Sequence, residues 1–262
     1  MSIALASAWR PRGELRRFVR IWPQLDRAYT SIAISLPPET DPIDLTPLQE
    51  RAKITLLVTQ DWSWGRHAAL RAAMESDPAS VHCTDFDRLV RWVETRPEEW
   101  RHCLERISEA DCTIVERSEV AWASHPEALR QTERIANIFM SHFLGQVYDL
   151  SAGSKGFSRR AARFILANSP EIAGNSGRAL GTDAEWPLLL YRGGFRLQSL
   201  QVDGLDWESA DRYQDQAVSF DDQRLAAQAY DADPHNWQDR LRIAQEIIES
   251  GLDAAHRPLI YP

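Results

Sequence analysis

Short apolar runs alternate with amphipathic stretches over the first third of the chain, and few folds accept that alternation. IALASA (3–8), SIAISL (31–36), ITLLVT (54–59) and VHCTDFD (81–87) are each strand-length and end on proline, polar or charged residues. Between the first two, Leu15, Phe18, Val19, Trp22 and Leu25 recur at the spacing of one helix face, and GRHAALRAAMES (65–76) reads as a helix after the third. The order strand, helix, strand, loop, strand, helix, strand predicts a mainly parallel sheet with helices on both faces, because parallel neighbours need crossover connections.

Further along, residues 88–108 read as helical with a break at Pro97, and CTIVE (112–116) as another buried strand. A helix over 132–144 is expected to pack through Ile135, Ile138, Phe139 and Phe143. DLSAGSKGF reads as a small-residue loop leading to Ser158, an N-cap for a helix from Arg159 to about Asn168. Residues 170–183 read as loop, EWPLLLYRGG as a short helix and FRLQSLQV as strand. The chain ends in a helix with Trp237, Leu241, Ala244, Ile247 and Ile248 on one side. The expected architecture is α/β: one domain over 1–204, with a helical C-terminal extension over 205–262 packed on it.

A chain of 262 residues can bury one substantial core. Its net charge of −8 argues against nucleic acid and anionic membranes as general partners, so any phosphate site has to be local. Cys83, Cys103 and Cys112 lack metal-type spacing and are odd in number, which fits a reducing compartment such as the cytoplasm. The apolar run Ile3–Ala8 is too short for a secretory core, and no stretch is long enough to be a transmembrane segment.

Asp85 and Asp87 stand at the carboxyl end of the fourth predicted strand, where open parallel sheets bind ligands. Two carboxylates so close repel unless a cation lies between them, and a divalent metal bridging to a diphosphate is a common solution. Arg88 follows, placed to pair with a carboxylate or a phosphate. A second pair, Asp231 and Asp233, sits in an acidic stretch beside Pro234 and reads as solvated surface. Lys155, one of two lysines, is either an exposed loop residue or a phosphate or sugar contact. Arg159 and Arg160 oppose a helix dipole, which favours a nearby anion or carboxylate. Asp183 and Glu185 either cap the helix that follows or act chemically. Trp62 and Trp64, at the ligand-binding edge, either pack under a loop or stack on a base or sugar.

In this order, GRHAAL (65–70), TDFDR (84–88), DLSAGSKGFSRRAA (149–162) and GTDAEWPLLLYRGGFRLQSLQV (181–202) resemble the GT-A-type nucleotide-sugar glycosyltransferases, especially family-2-like bacterial members. The resemblance covers about the first 205 residues. It implies a nucleotide-sugar donor and Mn²⁺ or Mg²⁺ on Asp85 and Asp87. It implies base and ribose contacts from Ser7, Ala8 and Arg10, a nucleotide contact from Arg66, and a donor-sugar loop at Gly153, Ser154 and Lys155. Asp183 or Glu185 takes the place of the carboxylate that deprotonates the acceptor hydroxyl in inverting members. The acceptor, whether small molecule, lipid-linked or glycan, is left open. Two departures stand out: the nearest acid after the first strand is Glu14, and a third metal ligand is not placed, with Asp206, Glu208 and His235 as candidates.

Other classes remain. A sugar-nucleotide nucleotidylyltransferase needs a glycine-rich loop after the first strand, where ASAWRPRGEL has one glycine. An Asp-x-Asp phosphatase carries its nucleophile on the first strand, which has none. A non-catalytic GT-A-like nucleotide-binding or interaction domain fits the missing acid. The segment 203–237 is left three roles: closing over the site, contacting the acceptor, or forming a homodimer surface.

Overall fold

The computed structural model describes residues 2–59, 62–169 and 182–261, with the side chains of 42–44 and 62–64 left aside. The N-terminal alternation builds β1 (Ile3–Ala8), α1 (Leu15–Ala28), β2 (Ser31–Leu36), α2 (Pro42–Gln49), β3 (Ile54–Val58), α3 (Trp62–Met74) and β4 (Ser80–Thr84). Next come α4 (Phe86–Thr95), α5 (Pro97–Arg106), β5 (Cys112–Arg117), α6 (Glu119–Ser124) and α7 (Glu127–Leu144). A 3₁₀ turn (Leu150–Ala152) then leads into β6 (Ser154–Ser158), α8 (Arg159–Asn168), α9 (Thr182–Arg192), β7 (Leu197–Val202), α10 (Phe220–Asp231) and α11 (Pro234–His256). No described helix is long and apolar enough to cross a membrane.

The sheet runs β3-β2-β1-β4-β6-β5-β7. All the described pairings are parallel except those of β6, which lies antiparallel to both β4 and β5. The chain moves outward from β1 in one direction through β2 and β3, and in the other to β4. That reversal opens a crevice at the carboxyl ends of β1 and β4.

Strand periodicity divides the core between the two faces. Ile3 and Leu5 of β1 join Phe18, Trp92 and Trp100 under α1, α4 and α5, while Ala4 and Ala6 join Leu70, Phe157 and Leu189 under α3, α8 and α9. A chain of buried polar groups crosses the first core: Trp100 Nε1 donates to the Tyr29 hydroxyl (3.2 Å), which bonds His82 Nδ1 (2.7 Å), and His82 Nε2 bonds Ser154 Oγ (3.0 Å). Burial holds the His82 pKa down to about 3, so the ring is neutral.

Three expectations are corrected. The stretch expected to be a Gly/Ser loop holds β6: Gly153 takes a left-handed turn (φ 72°), the next five residues pair with β4, and Lys155, Gly156 and Phe157 pair with β5 as well. Lys155 is therefore buried in mid-sheet. On α7 the packed face is Ala136, Asn137, Met140, Ser141 and Leu144, while Ile135, Ile138 and Phe139 are exposed. Hydrogen bonding selects that face. Asn137 Nδ2 donates to Asp149 (2.8 Å), Ser141 Oγ accepts from Tyr148 N (2.9 Å), and Met140 packs against Gly251 of α11. Asp231 and Asp233 are caps: Asp231 accepts from the backbone N–H groups of Glu127 (2.7 Å) and Ala128 (2.9 Å) at the start of α7, and Asp233 caps α11.

Gly156 lies where β6 passes beneath the end of α5, and a Cβ there would stand 2.4 Å from Ile107 Cβ. Gly156→Ala is expected to destabilise the fold by about 1–3 kcal/mol through overpacking. Urea titration checks it, and an unchanged midpoint would mean that α5 moves freely on the sheet.

Candidate functional site

At the crevice, the Ser7 hydroxyl of β1 donates to Thr84 O of β4, and Ser7 and Ala8 are buried, so this pair stitches the two strands together. Asp85 is the N-cap of α4 and Asp87 lies in its first turn. The two carboxylates thus belong to a helix start, where the dipole favours negative charge.

Asp85 meets Arg66 of α3 face on. Arg66 Nε and Nη2 donate to Oδ1 (3.1 and 2.8 Å), and Nη2 also donates to Oδ2 (2.8 Å). The same guanidinium reaches the first turn of α9 through Nη1, bonding Thr182 Oγ1 (3.3 Å) and Asp183 Oδ2 (3.1 Å). Lys155 Nζ closes the array by donating to Asp183 Oδ1 (3.0 Å) and to Leu150 O (2.8 Å). Two cations and two carboxylates from four parts of the chain thus form one buried, neutral network.

Its electrostatics follow from burial and pairing. Burial raises the Asp183 pKa, but Arg66 and Lys155 outweigh it and hold the net value below the ordinary carboxylate range. Burial lowers that of Arg66, and Asp183 with Asp85 reverses it to a net rise. Gly153 sits against this group, where a Cβ would lie 3.0 Å from Asp85 Oδ2 and 3.2 Å from Arg88 Nη1. The cavity enclosed beside Lys155, Thr84 and Trp186 measures about 20 Å³, about one water molecule's worth of room.

A second group adjoins the first. Burial pushes the Asp87 pKa up to about 7, aided by Glu208, Asp85 and Glu14 and opposed by Arg88. Burial raises the pKa of Glu208, 3.4 Å from Arg88 Nε, but Arg88, Arg212 and its hydrogen bonds together bring it to a net lowering. Glu14 accepts from Arg12 N (2.6 Å) and Trp9 Nε1 (3.4 Å) and is buried. Glu14, the nearest acid after β1, thus lies in the neighbourhood of Asp87.

The other predicted residues are placed elsewhere. Arg10 is exposed and pairs with Glu39 (3.3 Å). Ser154 faces His82 in the core. Glu185 bonds Arg257 (2.7 Å) and Ser169 (3.2 Å), tying α9 to the end of α11 rather than facing Asp85. Asp206 takes both its bonds from Arg91 (2.7 and 2.9 Å). Arg160 pairs with Asp111 (3.0 Å), and Arg159 pairs with the Asp77 carboxylate (3.2 Å) besides bonding the carbonyls of Pro78 (2.8 Å) and Asp77 (2.7 Å), so both have the carboxylate partner their helix position favours. The side chains of Trp62 and Trp64 and residue 181 lie outside the described residues.

Mn²⁺ or Mg²⁺ on Asp85 and Asp87 does not fit these residues as placed. Both Asp85 oxygens are taken by Arg66, and no group of three or more His, Cys, Asp or Glu among the described residues is disposed to hold a metal.

Among solved structures the chain is similar to one described as a mycobacterial protein, with a TM-score of 0.56 at 10% identity, covering 98% of this chain and 75% of that one. It is also similar to Mycobacterium tuberculosis glucosyl-3-phosphoglycerate synthase, with a TM-score of 0.52 at 12% identity, covering 98% and 81%. The chain has a GT-A-type fold. A structure of glucosyl-3-phosphoglycerate synthase with Mn²⁺, UDP-glucose and phosphoglyceric acid aligns at a TM-score of 0.47 and 13% identity, over 98% of this chain and 80% of that one. No family model matches the sequence, and no curated protein matches it. On this GT-A-type frame the network lies at the sheet's topological reversal.

The raised Asp87 pKa sets a pH dependence. Between the ordinary value of 3.8 and about 7 the folded chain holds a proton that the unfolded chain releases, so this group's contribution to stability falls as pH rises through that window. Asp87→Asn, melted in chelator, is expected to match the parent near pH 4 and to gain on it progressively up to about pH 7. A constant offset at every pH would mean that Asp87 is ionised throughout.

Proposed function

We propose that the chain is a glycosyltransferase that moves a sugar, of hexose type, from a nucleoside diphosphate to an acceptor hydroxyl. The observation that carries this reading is the Arg66–Asp85–Asp183–Lys155 network at the carboxyl ends of β1 and β4, in a GT-A-type fold. Such a crevice is where a nucleotide meets an open sheet. Gly153 leaves the backbone there without a side chain in the way.

In this reading Asp183 is a positioning residue. With both oxygens engaged and its pKa held down, it is a weak proton acceptor, and its work is to fix Arg66 and Lys155 beside the donor. Glu185 anchors the chain's C-terminal end through Arg257. Asp85 holds Arg66 in place. The non-catalytic alternative draws on the same saturation of the carboxylates, and turnover separates the two.

Incubation with UDP-, GDP-, CDP- and ADP-sugars is expected to give slow hydrolysis of one donor, and that nucleoside diphosphate is expected to raise the melting temperature. Binding without hydrolysis or transfer would favour the non-catalytic reading. Asp183→Asn is expected to weaken donor binding on the order of tenfold by loosening both cations. Intact binding with lost turnover would instead make Asp183 the base.

A further inference from the structure

The disagreement between the carboxylates and a metal can be taken further, together with the rim of the crevice. A divalent ion on Asp85 would have to displace Arg66, which is held by Asp85 on one side and by Asp183 and Thr182 on the other. Displacement would break the three charge-assisted bonds to Asp85 and leave the Nε and Nη2 side of the guanidinium without its partner. A diphosphate still needs counter-charge.

The rim has unspent positive charge. The segment after β1 is bonded to the chain just past Glu208: Tyr213 N donates to Arg12 O (2.7 Å), and a Cβ on Gly13 would stand 2.8 Å from Tyr213 Cα. This contact brings Arg12 next to Arg212. Arg12 is partly buried and its side chain forms no ion pair or hydrogen bond among the described residues, whereas Arg10 pairs with Glu39 in solvent and Arg212 bonds Ser209 Oγ (3.0 Å). Burial, Arg212 and Arg10 lower the pKa of Arg12, while Asp87 works in the other direction. Arg212 thus opposes the charge on Arg12, which Asp87 and Glu14 favour, and an anion bridging Arg12 and Arg212 would relieve that opposition. Tyr213, at a positive φ of 61° and bonded to Arg12 O, is 79% exposed and next in sequence to Arg212, an aromatic ring free to stack.

We propose that the donor's nucleoside diphosphate is bound without a divalent metal, its charge met by Arg12 and Arg212 at the rim while Arg66 keeps Asp85 paired. This rests on the glycosyltransferase reading above. Guanidinium groups suit the task, since each offers two parallel donors to a phosphate.

The test measures binding of UDP, GDP, CDP and ADP to the full chain by calorimetry, in chelator and again in Mn²⁺, with Mn²⁺ binding followed separately by electron paramagnetic resonance. One nucleotide is expected to bind equally well in both media, with no loss of the free Mn²⁺ signal on adding protein. Arg12→Ala and Arg212→Ala are each expected to weaken that binding on the order of tenfold. Both positions are away from the packed core, and the melting temperature without nucleotide checks their folding. Binding seen only with Mn²⁺ would overturn the inference and leave the glycosyltransferase reading standing, as would unchanged affinity in both arginine variants. No binding of any nucleotide in either medium would overturn that reading as well.

Discussion

The pairing of Arg66 with Asp85 is the contact on which the ligand-facing edge depends. Asp85 ends β4 and starts α4, and Arg66 projects from the helix that follows β3, so the bond spans the crevice. Asp183 alone would be a buried carboxylate at a helix start; Arg66 and Lys155 together make it tolerable. Remove Arg66 and the two carboxylates, Asp85 and Asp183, keep only Lys155, which reaches Asp183 alone. The network thus fixes where α9 begins relative to β6, and through β6 the spacing of β4 and β5.

Much of the frame was legible because strand and helix periods differ. Ile3, Leu5, Ala4 and Ala6 alternate cleanly, so β1 and its neighbours stand out, and Asp85 falls at a strand end as expected. β6 was hidden because glycine and lysine mask its alternation: Lys155 is a core residue only by virtue of Asp183, which follows 28 residues later. The packed face of α7 was misassigned for a related reason. Ile135 and Phe139 are the more apolar, but Asn137 and Ser141 are needed to satisfy the buried backbone and carboxylate at 148–149. Glu14, Arg12 and Arg212 carried no motif, and only the packing of two distant loops brings them to the crevice.

The last sixty residues are bound into the frame by charge as much as by apolar contact. Arg91 of α4 holds Asp206 and Asp211 in the interior, and Arg17 of α1 holds the buried Asp211 and the partly exposed Glu94. Arg240 of α11 reaches Glu133 of α7, a carboxylate shared with Arg117. Arg17 of α1 and Arg91 of α4 are therefore buried cations that share Asp211, a partner that arrives only with the segment from 206 to 211.

That dependence explains why the rim is built as it is. Asp211 is pinned by two arginines from beneath, which leaves Arg212 and Tyr213 with a fixed exit direction over the loop after β1. The positive φ of Tyr213 is a strain that a free loop would relax; here the buried ion pairs on one side and the bond to Arg12 on the other prevent it. On the proposed reading, a crevice with a closed neutral network and with Arg12 and Arg212 set side by side needs no reorganisation of its own charge to receive an anion. Such preorganisation is the physical content of a binding edge made from ion pairs rather than from free carboxylates.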